Sequence, residues 1–344
     1  MIQKHGGDIY RYSNIIDFSA NINPLGMPES AKKAVIDSAV LWECYPDPTC
    51  RELTEKISEY ERAEKEKIVC GNGADDIIYR LVHALKPKRA VISEPSFSEY
   101  EKALSEVNCS IKRYFTAESE DFEVNEKILD LISTDTDIVF LCTPSNPAGR
   151  LISAEVLRRT AERCREAGAV LVSDESFMEF TGVKEEYSLK NFLNENCIIV
   201  KAFTKFYATA GLRIGYAVCG GKIAEKVRNS GQYWSVSVPA QSAGKVLLGE
   251  KDFALKTVEY VKREREYLEM GLESMGIKFY PSSANFILIR AGEGLDDKLL
   301  SEGIMVRNCS GYHGLDGTFY RIAVRKHSEN EVLLEKLRRC RGVI

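Results

Sequence analysis

Only four histidines occur in the 344 residues, His5, His83, His313 and His327. They are widely separated, which argues against a histidine-based transition-metal site. Cysteine is present ten times, but no two stand at CxxC spacing, and several fall inside apolar runs such as 138–142 and 197–200. They read as reduced core residues. No apolar run approaches the roughly 18 residues that span a bilayer, and the opening Met-Ile-Gln-Lys-His-Gly-Gly lacks the apolar stretch of a signal peptide. Basic blocks are missing too: 47 Lys and Arg stand against 51 Asp and Glu, a net charge of −4. Without a basic stripe to displace counterions from phosphates, nucleic acid is not an expected partner. Repeats, low-complexity tracts and long linkers are also absent. What remains, 44% hydrophobic and 28% charged residues, is the balance of a globular protein. At roughly 150 residues per domain its length suggests about two domains. A cytoplasmic enzyme is the expected class.

Between residues 68 and 220, short β-branched runs alternate with helix-period segments, as in the crossover units of a mostly parallel sheet. The pattern predicts strands at 67–70, 89–93, 137–142, 169–173, 198–201 and 214–219, with helices at 75–85, 97–107 and 154–167. After Pro239 the grammar changes. A helical segment to 248 precedes a long helix over 253–275, about 35 Å at 1.5 Å per residue, with Leu255, Val258, Val261, Leu268, Leu272 and Met275 as its apolar stripe. Strands at 286–290, 304–308 and 319–324 and helices at 295–302 and 329–339 follow. The expected partition is a large α/β domain over 46–238 and a smaller α+β domain built from 1–45 and 239–344.

Three places could carry chemistry. Gly71-Asn72-Gly73-Ala74-Asp75 follows a strand and opens a helix, so its N–H groups could receive an anion, although such glycines often mark only a tight turn. Asp174-Glu175 ends an apolar strand, where α/β sheets place ligand groups; a ring-nitrogen partner, a helix cap and a metal ligand all fit. Lys205 follows another strand, with Arg213 eight residues later. A lysine that is desolvated, or crowded by a second cation, loses its proton easily and becomes a nucleophile towards carbonyls. A lone lysine is usually a solvated surface group.

The ordered set of anion loop, Asn146 in Ser-Asn-Pro-Ala-Gly149, Asp174, Lys205 and Arg213 resembles the fold-type-I enzymes that use pyridoxal 5'-phosphate, over nearly the whole chain. The resemblance implies an aspartate aminotransferase-like α/β fold: a large domain with a mostly parallel sheet, plus a smaller α+β domain. It implies that Lys205 forms a Schiff base with the cofactor aldehyde, Asp174 pairs with the ring nitrogen and Asn146 bonds the phenolic oxygen. Phe97 matches the aromatic stacked on the ring, and Gly73, Ala74, Asp75, Thr204 and Arg213 match the phosphate cup. Tyr45 matches a tyrosine that reaches the phosphate of the neighbouring subunit, so a homodimer is implied. Arg321 matches the arginine that grips the substrate carboxylate.

Within this group the chain looks most like the threonine-phosphate decarboxylases of cobalamin biosynthesis, with histidinol-phosphate aminotransferases as close relatives. His5-Gly6-Gly7, the segment from Asp17 to Gly26, Leu141-Cys-Thr-Pro144, Thr204-Lys-Phe-Tyr207 and Trp234-Ser-Val236 carry the match. Phe177 stands where the aminotransferases have a tyrosine that touches the cofactor oxygen. The resemblance implies decarboxylation of L-threonine O-3-phosphate, with His5, Gly6, Asn21, Asn146, Arg307 and Arg321 as substrate contacts. Histidinol-phosphate transamination is the alternative; phosphoserine decarboxylation and a non-catalytic pyridoxal-phosphate-binding role are minor ones. The chain departs from the pattern in having Ala202 where a hydroxyl residue is usual, a shortened segment after Gly7, and Arg150, for which a surface role is expected, with a substrate-phosphate contact as the alternative.

Overall fold

In a computed structural model, which describes residues 6–12 and 14–340, the continuous apolar runs become strands covered on both faces, as parallel sheets require. In chain order the strands are β1 (Ile16–Asp17), β2 (Ile68–Gly71), β3 (Arg89–Glu94), β4 (Ser110–Phe115), β5 (Ile138–Cys142), β6 (Val170–Asp174) and β7 (Cys197–Ala202). They continue with β8 (Gly215–Cys219), β9 (Lys278–Tyr280), β10 (Phe286–Arg290), β11 (Ile304–Met305), β12 (Arg307–Asn308) and β13 (Phe319–Ala323).

A seven-stranded sheet has the order β2-β8-β7-β6-β5-β3-β4. Its neighbours run parallel except around β8, which is antiparallel to both β2 and β7. All of β5 is buried, and the helix Ala154–Ala167 falls on the residues its pattern predicts, capped at its start by the Ser153 hydroxyl and stopped by Gly168 in a left-handed conformation. The register aligns Cys142 with Asp174 and Asp174 with Val200. Three adjacent strands therefore present their carboxyl ends on one edge, where a crevice forms in open α/β sheets.

A four-stranded antiparallel sheet, β12-β13-β10-β9, follows the long helix Lys251–Ser274. The N-terminal strand β1 joins β11 in parallel, and the Ala323 N–H donates to the Phe18 carbonyl at 2.9 Å, so residues 16–18 pack beside the later strands.

The structure corrects four expectations. β4 was not foreseen because it is an edge strand whose Ser-Ile-Lys-Arg-Tyr-Phe sequence contains no apolar run. The short β9 was missed as well. The predicted strand 304–308 is two pieces, β11 and β12, that join different sheets. On the long helix the buried stripe is Thr257, Val261, Glu264, Leu268 and Leu272, while Leu255 is exposed. Leu255 lies six positions before Val261, about 240° away on a helix of 3.6 residues per turn, and so faces elsewhere. The cysteines are all free and seven are buried, but Cys44 is exposed. Among the described residues no helix is long and apolar enough to cross a membrane.

Candidate active site

Residues at the ends of β5, β6 and β7 line a cleft of about 270 Å³ together with residues from β12, β13 and the N-terminal segment. Lys205 reaches it because β7 ends at Ala202 and one short helix, Phe203–Phe206, turns the next residues inward. Burial, then the positive charges of Arg321 and Arg213, push the Lys205 ammonium down to about 8, against the opposing pull of Asp75 and Asp174. The desolvation and cationic crowding that sequence spacing only suggested are both present.

Asp174 is buried at the end of β6. Its Oδ2 accepts from the Tyr100 hydroxyl at 2.6 Å and its Oδ1 from the Ser176 N–H at 2.9 Å. Burial raises its pKa, and the bonds from Ser176 and Tyr100 act in the opposite direction. Glu175 is engaged elsewhere: its carboxylate takes the Ser188 hydroxyl and the Leu189 N–H, each at 2.8 Å, and burial lifts it to about 7. Of the pair only Asp174 lines the cleft. Among the described residues one group of side chains has metal-ligand spacing, Glu94, Glu101 and His313, and it does not include Asp174.

The helix Ala74–Leu85 points its N-terminus at the cleft, where Ala74 and Asp75 line the wall. Gly73 precedes it with φ +95°, and an added Cβ would lie 2.5 Å from Arg213 Nη2. Arg213 Nη2 in turn donates to Asp75 Oδ2 at 3.0 Å. Thr204 completes this corner. Free helix N–H groups beside a guanidinium suit a phosphate.

Arg307 and Arg321 are direct register partners across β12 and β13, so their side chains share one face. Both are buried, and among the described residues neither makes an ion pair. Arg321 Nη1 donates to Asn146 Oδ1, and Nη2 donates to the Ser19 carbonyl at 2.8 Å. Its Nε–H is buried with no partner, and the same holds for Asn21 Oδ1. Like charges directly opposite destabilise a sheet, and buried orphaned polar atoms are costly. An anionic ligand relieves both.

Phe97 lines the wall, and Phe177 is buried with its ring edge-on to Phe286 at 5.0 Å. Gly6 also lines the cleft; a Cβ there would sit 2.3 Å from the Ser19 carbonyl oxygen. His5 lies outside the described residues. Tyr45 does not enter this chain's cleft: it is 79% exposed and stacks on Trp234 with centroids 4.4 Å apart. Ala202 lines the cleft with a methyl group where a hydroxyl is usual. Arg150 does not line the cleft and is held by Glu123 and by the Pro281 carbonyl at 3.1 Å.

Two residues escaped the sequence reading. Tyr100 stands three positions after Phe97, close enough to share its face, and that spacing was the available signal. Tyr312 lies in an irregular loop with no periodicity; its ring packs 5.6 Å from the Arg307 guanidinium, and its hydroxyl sits 3.4 Å from Asn146 Oδ1.

A lysine, a buried carboxylate and a helix N-terminus gathered at the strand ends of such a sheet define an aspartate aminotransferase-like enzyme. The chain belongs to the aminotransferase class I and II family, which residues 13–337 match. It is 35% identical to threonine-phosphate decarboxylase of Salmonella typhimurium, over 97% of this chain and 95% of that protein. The crystal structure of histidinol-phosphate aminotransferase from Clostridium acetobutylicum superposes with a TM-score of 0.86 at 30% identity, covering 93% of this chain and 97% of that one. A third relative, histidinol-phosphate aminotransferase from Sinorhizobium meliloti solved in complex with pyridoxal-5'-phosphate, gives 0.83 at 21% identity, covering 93% and 90%.

Proposed function

We propose that the cleft binds pyridoxal 5'-phosphate and decarboxylates L-threonine O-3-phosphate to (R)-1-aminopropan-2-yl phosphate, the linker of the cobalamin nucleotide loop. The observation that carries this reading is the buried, unpaired couple Arg307 and Arg321. A phosphorylated amino acid has two anionic ends to offer them. Histidinol phosphate has one, although the 2-oxoglutarate its transamination requires has two, so assay with each substrate separates the two reactions.

The residues present suit the cofactor. Gly73, Ala74, Asp75, Thr204 and Arg213 would hold its phosphate, Asp174 would pair with its ring nitrogen, Phe97 would cover its ring and Asn146 would bond its phenolic oxygen. Bound there, the cofactor supplies a sink for the electron pair left when a bond to Cα breaks. This chain's residues then decide which bond that is. The planar fork of Arg321 grips the substrate carboxylate. Arg307 and Asn21, with Gly6, take the substrate phosphate. Held at both ends by these residues, the substrate would be fixed in one orientation, with its carboxylate rather than its Cα hydrogen placed to leave as carbon dioxide. Lys205, its pKa lowered to about 8 by burial and by Arg321 and Arg213, returns a proton to Cα. Phe177 supplies no hydroxyl to the cofactor oxygen, unlike the tyrosine of the aminotransferases.

Gly73→Ala is expected to displace Arg213 and strain the turn. At about 1–3 kcal/mol, cofactor uptake should weaken by roughly 5- to 150-fold, read by titrating the apoprotein with pyridoxal phosphate.

A homodimer belongs to this reading. Ile36, Val40, Leu41, Trp42 and Tyr45, with Tyr233 and Trp234, leave large apolar side chains exposed along one stretch of chain and the partner that stacks on it. Such patches mark interfaces, and Tyr45 would there reach the neighbouring subunit's cofactor phosphate. Trp42→Glu should shift sedimentation from dimer to monomer and weaken cofactor uptake in parallel. A dimer with unchanged uptake would count against the interface.

The reaction itself is tested by supplying L-threonine O-3-phosphate, and separately histidinol phosphate with 2-oxoglutarate. Carbon dioxide and a phosphorylated amine are expected from the first and no glutamate from the second. Glutamate without carbon dioxide would establish the aminotransferase reading instead.

A further inference from the structure

Tyr100 is fully buried, does not line the cleft, and has no part in the chemistry derived above. It lies in the first turn of the helix Glu99–Glu106. Its ring stacks on Phe140 at 5.0 Å and 17°, and Phe97 meets it edge-on at 5.7 Å and 86°. A phenylalanine would make the same ring contacts. What the tyrosine adds is its hydroxyl, which donates to Asp174 Oδ2 at 2.6 Å, while the Ser176 N–H donates to Oδ1 at 2.9 Å. With a donor on each oxygen, rotating the carboxylate breaks both bonds.

We propose that Tyr100 is a positioning residue, whose hydroxyl orients the Asp174 carboxylate and keeps it charged, and which thereby sets the protonation of the ring nitrogen that Asp174 faces. The inference rests on the cofactor reading given above.

The physical case is a balance around one buried carboxylate. Burial is the largest influence and favours neutral Asp174; Ser176, through its hydroxyl and N–H, and Tyr100 favour the charged form, and the nearby Asp75 opposes them. The other groups facing Asp174 are Cys142 on β5 and Lys205 from the short helix after β7. The Cys142 thiol is pushed far up by burial and donates to the Pro144 carbonyl at 3.2 Å, so it stays neutral. Asp75 is paired with Arg213. Burial also drives the Tyr100 phenol well above its ordinary value, which keeps it a donor at any working pH. Without that donor, the proton shared between the ring nitrogen and Asp174 moves towards the carboxylate, and a neutral acid no longer holds a cationic ring.

Tyr100→Phe keeps the ring and removes the donor. In holoenzyme carrying pyridoxal phosphate labelled with nitrogen-15 in the ring, the variant's resonance should move towards that of unprotonated pyridine, and the pH titration of the bound cofactor's absorbance should shift. Hydrogen bonds to charged groups predict a dissociation constant for pyridoxal phosphate raised by about 10- to 100-fold, with kcat lowered and KM little changed. In an Asp174→Asn background the same substitution should add nothing, because its effect passes through Asp174. If Tyr100→Phe does not fold, 3-fluorotyrosine at position 100, a stronger donor of nearly equal size, should move the resonance the opposite way. Wild-type resonance, pH profile and affinity in the variant would show that Tyr100 only packs, and would overturn the proposal. A wild-type protein that takes up no pyridoxal phosphate would instead overturn the cofactor reading beneath it.

Discussion

Replacing Lys205 by methionine is expected to cut turnover by on the order of 10⁴-fold or more, since it removes both the nucleophile and the proton carrier. The same substitution should make the apoprotein more stable at pH 7. Lys205 is half-buried beside Arg321 and Arg213, and its pKa falls from an ordinary 10.5 to about 8 in the folded chain. Between those values the unfolded chain binds more protons than the folded one, so folding stability rises with pH across this window. Below pH 8 the folded state carries the full cost of the charged lysine. At 1.36 kcal/mol per pH unit that cost is at most about 3 kcal/mol, less whatever the water in an open cleft screens. The advantage of Lys205→Met should therefore be largest near neutrality and shrink from pH 8 to pH 10.5. Thermal melts of the two apoproteins across this range check the sign. A variant less stable at pH 7, or a difference that grows with pH, would contradict the electrostatics proposed for the cleft.

Arg321→Ala should lower kcat/KM for L-threonine O-3-phosphate by about 30- to 4,000-fold. Truncating one partner of a buried, hydrogen-bonded charge pair costs about 2–5 kcal/mol, at tenfold per 1.4 kcal/mol. The loss has two parts: the substrate carboxylate loses its fork, and Asn146 Oδ1 and the Ser19 carbonyl lose the donors that Arg321 gives them. Arg321→Lys should recover little. A single ammonium cannot bond Asn146, Ser19 and a carboxylate in the plane that one guanidinium serves. Because the phosphate corner at Gly73 and Arg213 belongs to other elements, both variants should still take up cofactor. Steady-state kinetics together with a cofactor titration separate these effects. A lysine variant within tenfold of wild type would show that Arg321 acts as a point charge and that the carboxylate is gripped elsewhere.

Much of this architecture could be read before any coordinates, and for a common reason. Strands buried on both faces, such as Ile138–Cys142, must be apolar almost throughout, so they show up in composition alone. Capped helices such as Ala154–Ala167 declare both ends. Edge elements like Ser110–Phe115 carry no such signature, because half their surface is in water. The cleft divides in the same way. Asp174 ends β6, Lys205 follows β7 and Arg213 leads into β8, so their proximity is a consequence of topology. Tyr312 is brought in by an irregular loop, and only the β12–β13 register reveals Arg307 and Arg321 as a like-charged pair. Glu175, one residue past the end of β6, points away from the cleft and into the bonds it accepts from Ser188 and Leu189.

The central claim is that this cleft holds pyridoxal phosphate through Lys205. It is tested most directly by reducing the reconstituted protein with borohydride and mapping the modified peptide by mass. One reduced cofactor per chain, attached to the peptide containing Lys205 and lost in Lys205→Met, is the predicted result; modification spread over surface lysines, or retained in the variant, would contradict it.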